Sequence, residues 1–145
     1  MMTNNDTLHL LKECDAGVKM ATDSLDGVRE HAQAPALKAL LNTSRQQHEW
    51  IGREVQTMLE KCGGNEKEPH PVARKMAEMK TAAHLTVDDS DKSVASLISD
   101  GCHMGAKSLR GYLDQYKGAE VPARALCRTL VAVEEQLGME MRQFL

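Results

Sequence analysis

Three ionisable residues, Asp15, His48 and Glu134, stand within apolar helical stripes, near the middle of the helices that the sequence predicts. A carboxylate or imidazole that is buried without a partner costs several kcal/mol, so we expect these side chains to contact one another or water. The favoured prediction is a hydrogen-bonded polar layer that fixes the register of the helices. The alternatives are partial exposure at the edge of the stripes, and a metal or catalytic site in which the three residues hold one ion together with water.

The spacing of these residues from the predicted turns indicates how close they come. Asp15 lies about 19 residues and His48 about 14 residues from the turn that joins the first two helices, which predicts a separation of only ~6–8 Å along the helix axis. Glu134 lies a similar distance, about 16 residues, past the turn at Gly118. All three are therefore predicted near the same level of the protein.

The motifs that would support catalysis are missing from this sequence. Helical proteins that bind two iron or manganese ions use Glu-x-x-His pairs, whose side chains project from one helix face, and no such pair occurs here. Gly63-Gly64 is not followed by the Lys-Ser/Thr of a phosphate-binding loop. We therefore predict a protein that is not an enzyme and has no cofactor, and the sequence identifies no small-molecule substrate. Binding of iron, manganese or zinc, with a metal-dependent redox role, is the alternative.

Composition excludes several other classes of protein. The 145 residues include 18 Lys or Arg and 21 Asp or Glu, and a net charge of −3 does not suit a nucleic-acid binder that relies on a positive field. No apolar run approaches the ~20 residues needed to cross a bilayer, and residues 1–6 lack the character of a signal peptide. The four cysteines form no Cys-x-x-Cys pair. They are interpreted as reduced residues of a cytoplasmic protein with no membrane partner.

The predicted fold is all-α, because aromatic residues make up only 3% of the chain and no segment alternates with a period of two. Helix-breaking and capping residues divide one domain, residues 1–145, into long helices at about 6–32, 35–62, 91–117 and 120–145 and a short helix at about 72–85. Short turns join the first two and the last two long helices. The prediction is a ferritin-like four-helix bundle, in which two antiparallel helical hairpins are joined by a crossover containing the short helix. A simple up-and-down bundle is the alternative.

Surface associations are predicted from two further patterns. Gly101, Gly105 and Ser108 would let a neighbouring backbone approach closely, either inside the bundle or across a dimer, and we expect a homo-oligomer. A third alternative for the protein is an amphipathic adaptor whose short helix at 72–85 docks on a partner or a membrane, which the basic residues of this helix permit. Methionines at helical spacing are interpreted as core residues, namely Met76, Met79, Met139 and Met141.

The segment from His84 to Leu145 resembles a group of uncharacterised bacterial ferritin-like proteins. The resemblance rests on these segments: Asp89-Ser90, Ile98-Ser99-Asp100-Gly101-Cys102-His103-Met104-Gly105, Tyr116-Lys117, Glu134-Glu135 and Phe144-Leu145. Met20-Ala21-Thr22-Asp23-Ser24-Leu25 is similar to the first-helix signature of that group, and Asp15-Ala16-Gly17 to an Asp-x-Gly motif of more distant ferritin-like domains. The resemblance implies a ferritin-like four-helix bundle without an established activity. The chain lacks the ligand pairs of iron-binding ferritins, so iron oxidation or storage is not expected.

Overall fold

The helices begin where the sequence supplies capping groups or proline. The side chain of Asn4 accepts a hydrogen bond from the backbone N–H of Thr7, and that of Ser90 accepts one from Ser93. The computed structural model describes residues 4–145, so residues 1–3 of the polar start lie outside the description. The helices are α1 (Asn5–Val28), α2 (Pro35–Lys61), α3 (Pro71–Val87), α4 (Asp91–Gln115) and α5 (Val121–Met141). Within these described residues there is no β-strand, so the all-α prediction is confirmed.

The observed ends of the helices differ from the predicted ends by a few residues. The α-helical part of α1 stops at Val28 and continues as a 3-10 turn, Arg29–His31, and a similar turn, Arg142–Phe144, follows α5. Such tightening of the last turn satisfies backbone groups that have no partner further along the helix. α2 ends just before Gly63, whose φ of 69° is the left-handed conformation that favours glycine.

The helix ends show how the elements run. The side chain of Asn4, at the start of α1, donates a hydrogen bond of 2.8 Å to the carbonyl of Gly118, between α4 and α5. At the other end of α1, Asp91 of α4 accepts hydrogen bonds from the backbone N–H groups of Gln33 (2.7 Å) and Ala34 (2.9 Å). These contacts mean that α1 and α4 pack in opposite directions. α5 packs against α1, α2 and α4.

The segment between α2 and α4 returns along α1. The backbone N–H of Lys67 donates to Asp15, and Arg74 of α3 is bonded to Asp23. Further along, a Cβ built on Gly27 of α1 would lie 3.7 Å from the Thr81 side chain. α3 therefore follows α1 in the same direction and lies on its outer side, and Leu85 is its only buried residue.

The apolar core consists of two clusters that are separated by polar residues. On α2, Leu41 belongs to one cluster and Ile51 to the other, with Ser44 and His48 between them. On α5, Glu134 similarly stands between Val131 and Leu137 of the two clusters. The chain thus has a buried polar level at Ser44, His48 and Glu134.

The buried face of α4 differs from the predicted one. Packing inside the bundle is one of the two expectations for Gly101, Gly105 and Ser108, and it is wrong for Gly101 and Ser108, which are exposed, whereas Gly105 is half-buried. The neighbouring face is buried instead, through Cys102, Ala106, Leu109 and Leu113. The reason is the hydrophobic effect: this face buries larger apolar side chains than the small-residue stripe would.

No helix among residues 4–145 combines the length and the apolar composition that a bilayer span requires.

Candidate functional site

His48 and Glu134 form a buried pair that joins α2 to α5. The side chain of His48 is fully buried, and its Nε2 is hydrogen-bonded to Oε1 of Glu134, whose side chain is 7% exposed. On the other side of the ring, Nδ1 lies 2.7 Å from the carbonyl oxygen of Ser44. A carbonyl oxygen only accepts, so Nδ1 carries a proton. Both ring nitrogens are therefore engaged by the protein.

The pair favours a charged imidazolium. Burial by itself would lower the pKa of His48, because it disfavours the charged form. The hydrogen bond to Glu134 and its negative charge, with the Ser44 carbonyl, outweigh burial, so the pKa of His48 lies above its ordinary value. An ion pair between His48 and Glu134 is the state that these contacts favour.

Two residues of α4 complete the surroundings of Glu134. Burial, followed by the charge of Glu134 and a hydrogen bond to it, raises the pKa of the Cys102 thiol well above its ordinary value. A thiol that stays protonated is a poor nucleophile and a poor metal ligand. Gly105 leaves room for the carboxylate, because a Cβ at this position would lie 3.4 Å from Oε2 of Glu134.

Asp15 occupies a separate site. It is 1% exposed, and its Oδ2 lies 3.0 Å from Nζ of Lys19 and accepts a hydrogen bond of 2.9 Å from the backbone N–H of Lys67. Lys19 also bonds Glu68 at 2.9 Å. Asp15 thus holds the segment before α3 against α1.

The packing of α1 on α2 explains why Asp15 does not reach His48. A Cβ on Gly52 would lie 3.1 Å from Val18, which sets these two residues at one level. Because α1 and α2 run in opposite directions, Asp15 and His48 lie on opposite sides of that level, about 10 Å apart along the axis. Of the three predicted site residues, the structure brings together His48 and Glu134 only.

The described part of the chain contains no group of three or more His, Cys, Asp or Glu side chains that could hold a metal ion. Within residues 4–145, every buried side-chain nitrogen or oxygen also has a hydrogen-bond partner. A metal ion at His48 and Glu134 would have to replace the hydrogen bond that joins them.

A contact between two thiols was missed by sequence reasoning. Cys14 of α1 and Cys127 of α5 are both buried, and a hydrogen bond between them, with burial, raises the pKa of Cys14. The same hydrogen bond lowers the pKa of Cys127 against the effect of burial. No local signal could have found this contact, because the two residues lie near opposite ends of the chain. The contact of Asp15 with Lys19 did carry a signal, the i,i+4 spacing of opposite charges.

The outer side of α3 carries apolar residues that the protein does not bury. Val72, Met76 and Met79 are 60%, 65% and 61% exposed. Met139 of α5 is also 58% exposed, so the predicted core position of these methionines is wrong, and Met141 alone of the four is buried. On α3 the reason is that the opposite face, with Thr81 and Leu85, packs towards α1.

A half-open groove of about 480 Å³ lies between α1 and α3. Its lining combines apolar and small residues, such as Met20 and Gly27, with the ionisable residues His31 and Glu78. Arg74 also borders the groove, but Asp23 and Glu68 occupy its guanidinium at 2.6–3.1 Å. The guanidinium of Arg74 is therefore not available to bind a ligand in the groove.

Comparison with known proteins supports the helical architecture. No family model matches the sequence, and no curated protein matches it. A solved structure, that of a DUF305 fragment from Deinococcus radiodurans, is similar with a TM-score of 0.76 over 99% of this chain and 97% of that chain. Its sequence is 18% identical, so the likeness concerns the fold alone. That neighbour is a domain of unknown function, and the ferritin-like family assignment stays a prediction.

Proposed function

We propose that this protein is a non-enzymatic, self-associating helical bundle with ferritin-like topology. The contacts of α1 with the start of α4 and with the turn before α5 support two antiparallel helical hairpins. The course of α3 along α1 supports a crossover between them, since the chain must return before α4 can run antiparallel to α1.

The observation that supports a non-enzymatic role most directly is that His48 has no ring nitrogen free to act on a substrate. Both of its ring nitrogens have protein partners, and neither His48 nor Glu134 is open to solvent. A general base must reach the proton that it abstracts, so a substrate would have to displace one of these bonds. In our proposal, the pair sets the register of α2 and α5, because sliding either helix would leave a buried charge without a partner.

Self-association is supported by large apolar side chains on the surface. Trp50 on α2 and Met104 on α4 are 51% and 65% exposed, and such residues are enriched at protein interfaces. Light scattering coupled to size exclusion tests the proposal across a dilution series. We expect a mass above 16.0 kDa that falls on dilution. A mass of one chain at every concentration would contradict self-association.

The alternative of a metal protein is tested by elemental analysis of untagged protein purified without chelators. Under our proposal, iron, manganese and zinc stay well below one ion per chain, and His48→Ala does not change their amounts. A stoichiometric metal that is lost in His48→Ala, but retained in the exposed control His103→Ala, would overturn the structural role of the pair.

A further inference from the structure

The outer face of α3 is apolar along its whole length, although nothing in the described chain packs on it. Val72, Met76, Met79 and Ala83 follow one another at spacings of four, three and four residues and are all exposed. This is the spacing with which a helix presents a continuous narrow seam to a second helix. Residues opposite the seam, such as Arg74 and Thr81, border the groove towards α1.

The charges beside the seam are of one sign. Lys75 and Lys80 occupy flanking positions on its two sides, and both are exposed. None of the ion pairs within residues 4–145 includes either lysine, whereas Arg74 is neutralised by Asp23 and Glu68. α3 carries three basic residues and one acidic residue, although the whole chain has a net charge of −3. The apolar seam is thus bordered by positive charge on an acidic protein.

We propose that this face of α3 binds an amphipathic helix of another protein, one with acidic residues on both sides of its apolar stripe. Flanking charges decide the choice of partner in helix pairing, and acidic residues would complement Lys75 and Lys80. A second copy of α3 is a poor occupant, because either orientation would bring lysines together.

The width and composition of the seam favour a helix over a membrane surface. Helices that lie on membranes use a broad apolar face with Trp, Phe or Leu. The outer face of α3 is narrow and has only Val, Met and Ala, and methionine adapts well to protein partners. α3 is also already folded against α1, so binding would order only the partner helix, which lowers the entropic cost.

The test uses the full chain and two labelled synthetic peptides of equal length, with leucine at the seam positions. One peptide has glutamate at the flanking positions and the other has lysine. Fluorescence anisotropy should show binding of the acidic peptide that is at least about tenfold tighter than that of the basic one and that weakens with salt. Absence of binding by the acidic peptide, or equal binding of the two, would overturn the proposal.

Variants locate the contact. Met79→Glu places a negative charge in the seam and should weaken binding of the acidic peptide at least about tenfold. The matched control is Met139→Glu, since Met139 is similarly exposed on α5 and its replacement should leave binding unchanged. Lys75→Glu together with Lys80→Glu should reverse the preference towards the basic peptide. These side chains are all exposed, and circular dichroism verifies that each variant is folded. An equal loss in Met139→Glu, or no reversal in the double variant, contradicts docking on α3.

The same variants test whether a membrane or a second copy of the chain occupies the outer face of α3. Vesicles of phosphatidylcholine and phosphatidylserine should not bind the chain in a manner that depends on Met79. Light scattering should give the same mass for the native chain and for Met79→Glu. Vesicle binding that Met79→Glu abolishes would assign the face to a membrane, and loss of a dimer in that variant would assign it to a second copy. Either result overturns the proposal.

Discussion

Glu134 on α5 hydrogen-bonds His48 on α2 at the level where the apolar core is divided into two clusters. The pair lies 86 residues apart in the sequence and joins two helices that are not consecutive. Its energetic importance lies in its burial, because removal of one partner leaves the other without compensation in a medium of low polarity.

Removal of the Glu134 carboxylate should therefore be costly. Glu134→Ala is expected to lower the free energy of unfolding by about 3–5 kcal/mol. Glu134→Gln should cost less, since the amide N–H group can donate a hydrogen bond to Nε2 of a neutral His48, whose proton stays on Nδ1. Urea denaturation measures both values. The control is Glu135→Ala, whose exposed side chain pairs with Arg110 and should contribute less than about 1 kcal/mol. A similar effect at both positions would show that the buried pair contributes little.

The stability of the protein should depend on pH through His48. Its pKa is raised in the folded state above the ordinary value of 6.5, so its stabilising contribution is fully present below that value. The contribution is lost as the pH rises through the raised pKa. Unfolding free energies across this range should fall more steeply for the native chain than for His48→Gln, which lacks the imidazole that titrates. Identical slopes would contradict the assignment.

Asp15 should govern the attachment of the segment before α3. Asp15→Ala removes the acceptor of the Lys67 N–H and a partner of Lys19, and a loss of about 1–3 kcal/mol is expected because the hydrogen bonds are to a charged group. In limited proteolysis, Asp15→Ala should be cleaved between residues 62 and 71 faster than the native chain. The exposed control Asp114→Ala should leave cleavage unchanged. Unaltered cleavage in Asp15→Ala would argue against this anchoring role.

Two glycines of α4 should respond differently to alanine. Nothing lies within 4 Å of a Cβ at Gly101, so Gly101→Ala should gain up to about 1 kcal/mol of helix propensity. Gly105→Ala should be less favourable than Gly101→Ala, because the new Cβ lies only 3.4 Å from the Glu134 carboxylate. Thermal unfolding of the two variants provides the comparison. An equal gain at both positions would mean that Glu134 moves away from α4 at no cost.

The number, type and order of the helices could be predicted from the sequence. Pro35, Gly63 and Ser90 act within one or two turns of the chain, through fixed φ, a left-handed cap and a capping oxygen, so their effects can be interpreted locally. The apolar spacing of α2 also placed His48 within the apolar stripe, and the residue is buried in the structure. Helix ends could be predicted only to within a few residues, since a last turn can tighten without a sequence signal.

Tertiary structure alone decided which polar residues meet. Asp15, His48 and Glu134 have the same pattern in the sequence, but the antiparallel packing of α1 on α2 moves Asp15 away from His48 and towards Lys67. The buried face of α4 and the exposed face of α3 were decided in the same way. Helical periodicity states which residues share a face, but the face that is covered depends on the free energy of burying it against every neighbouring helix at once.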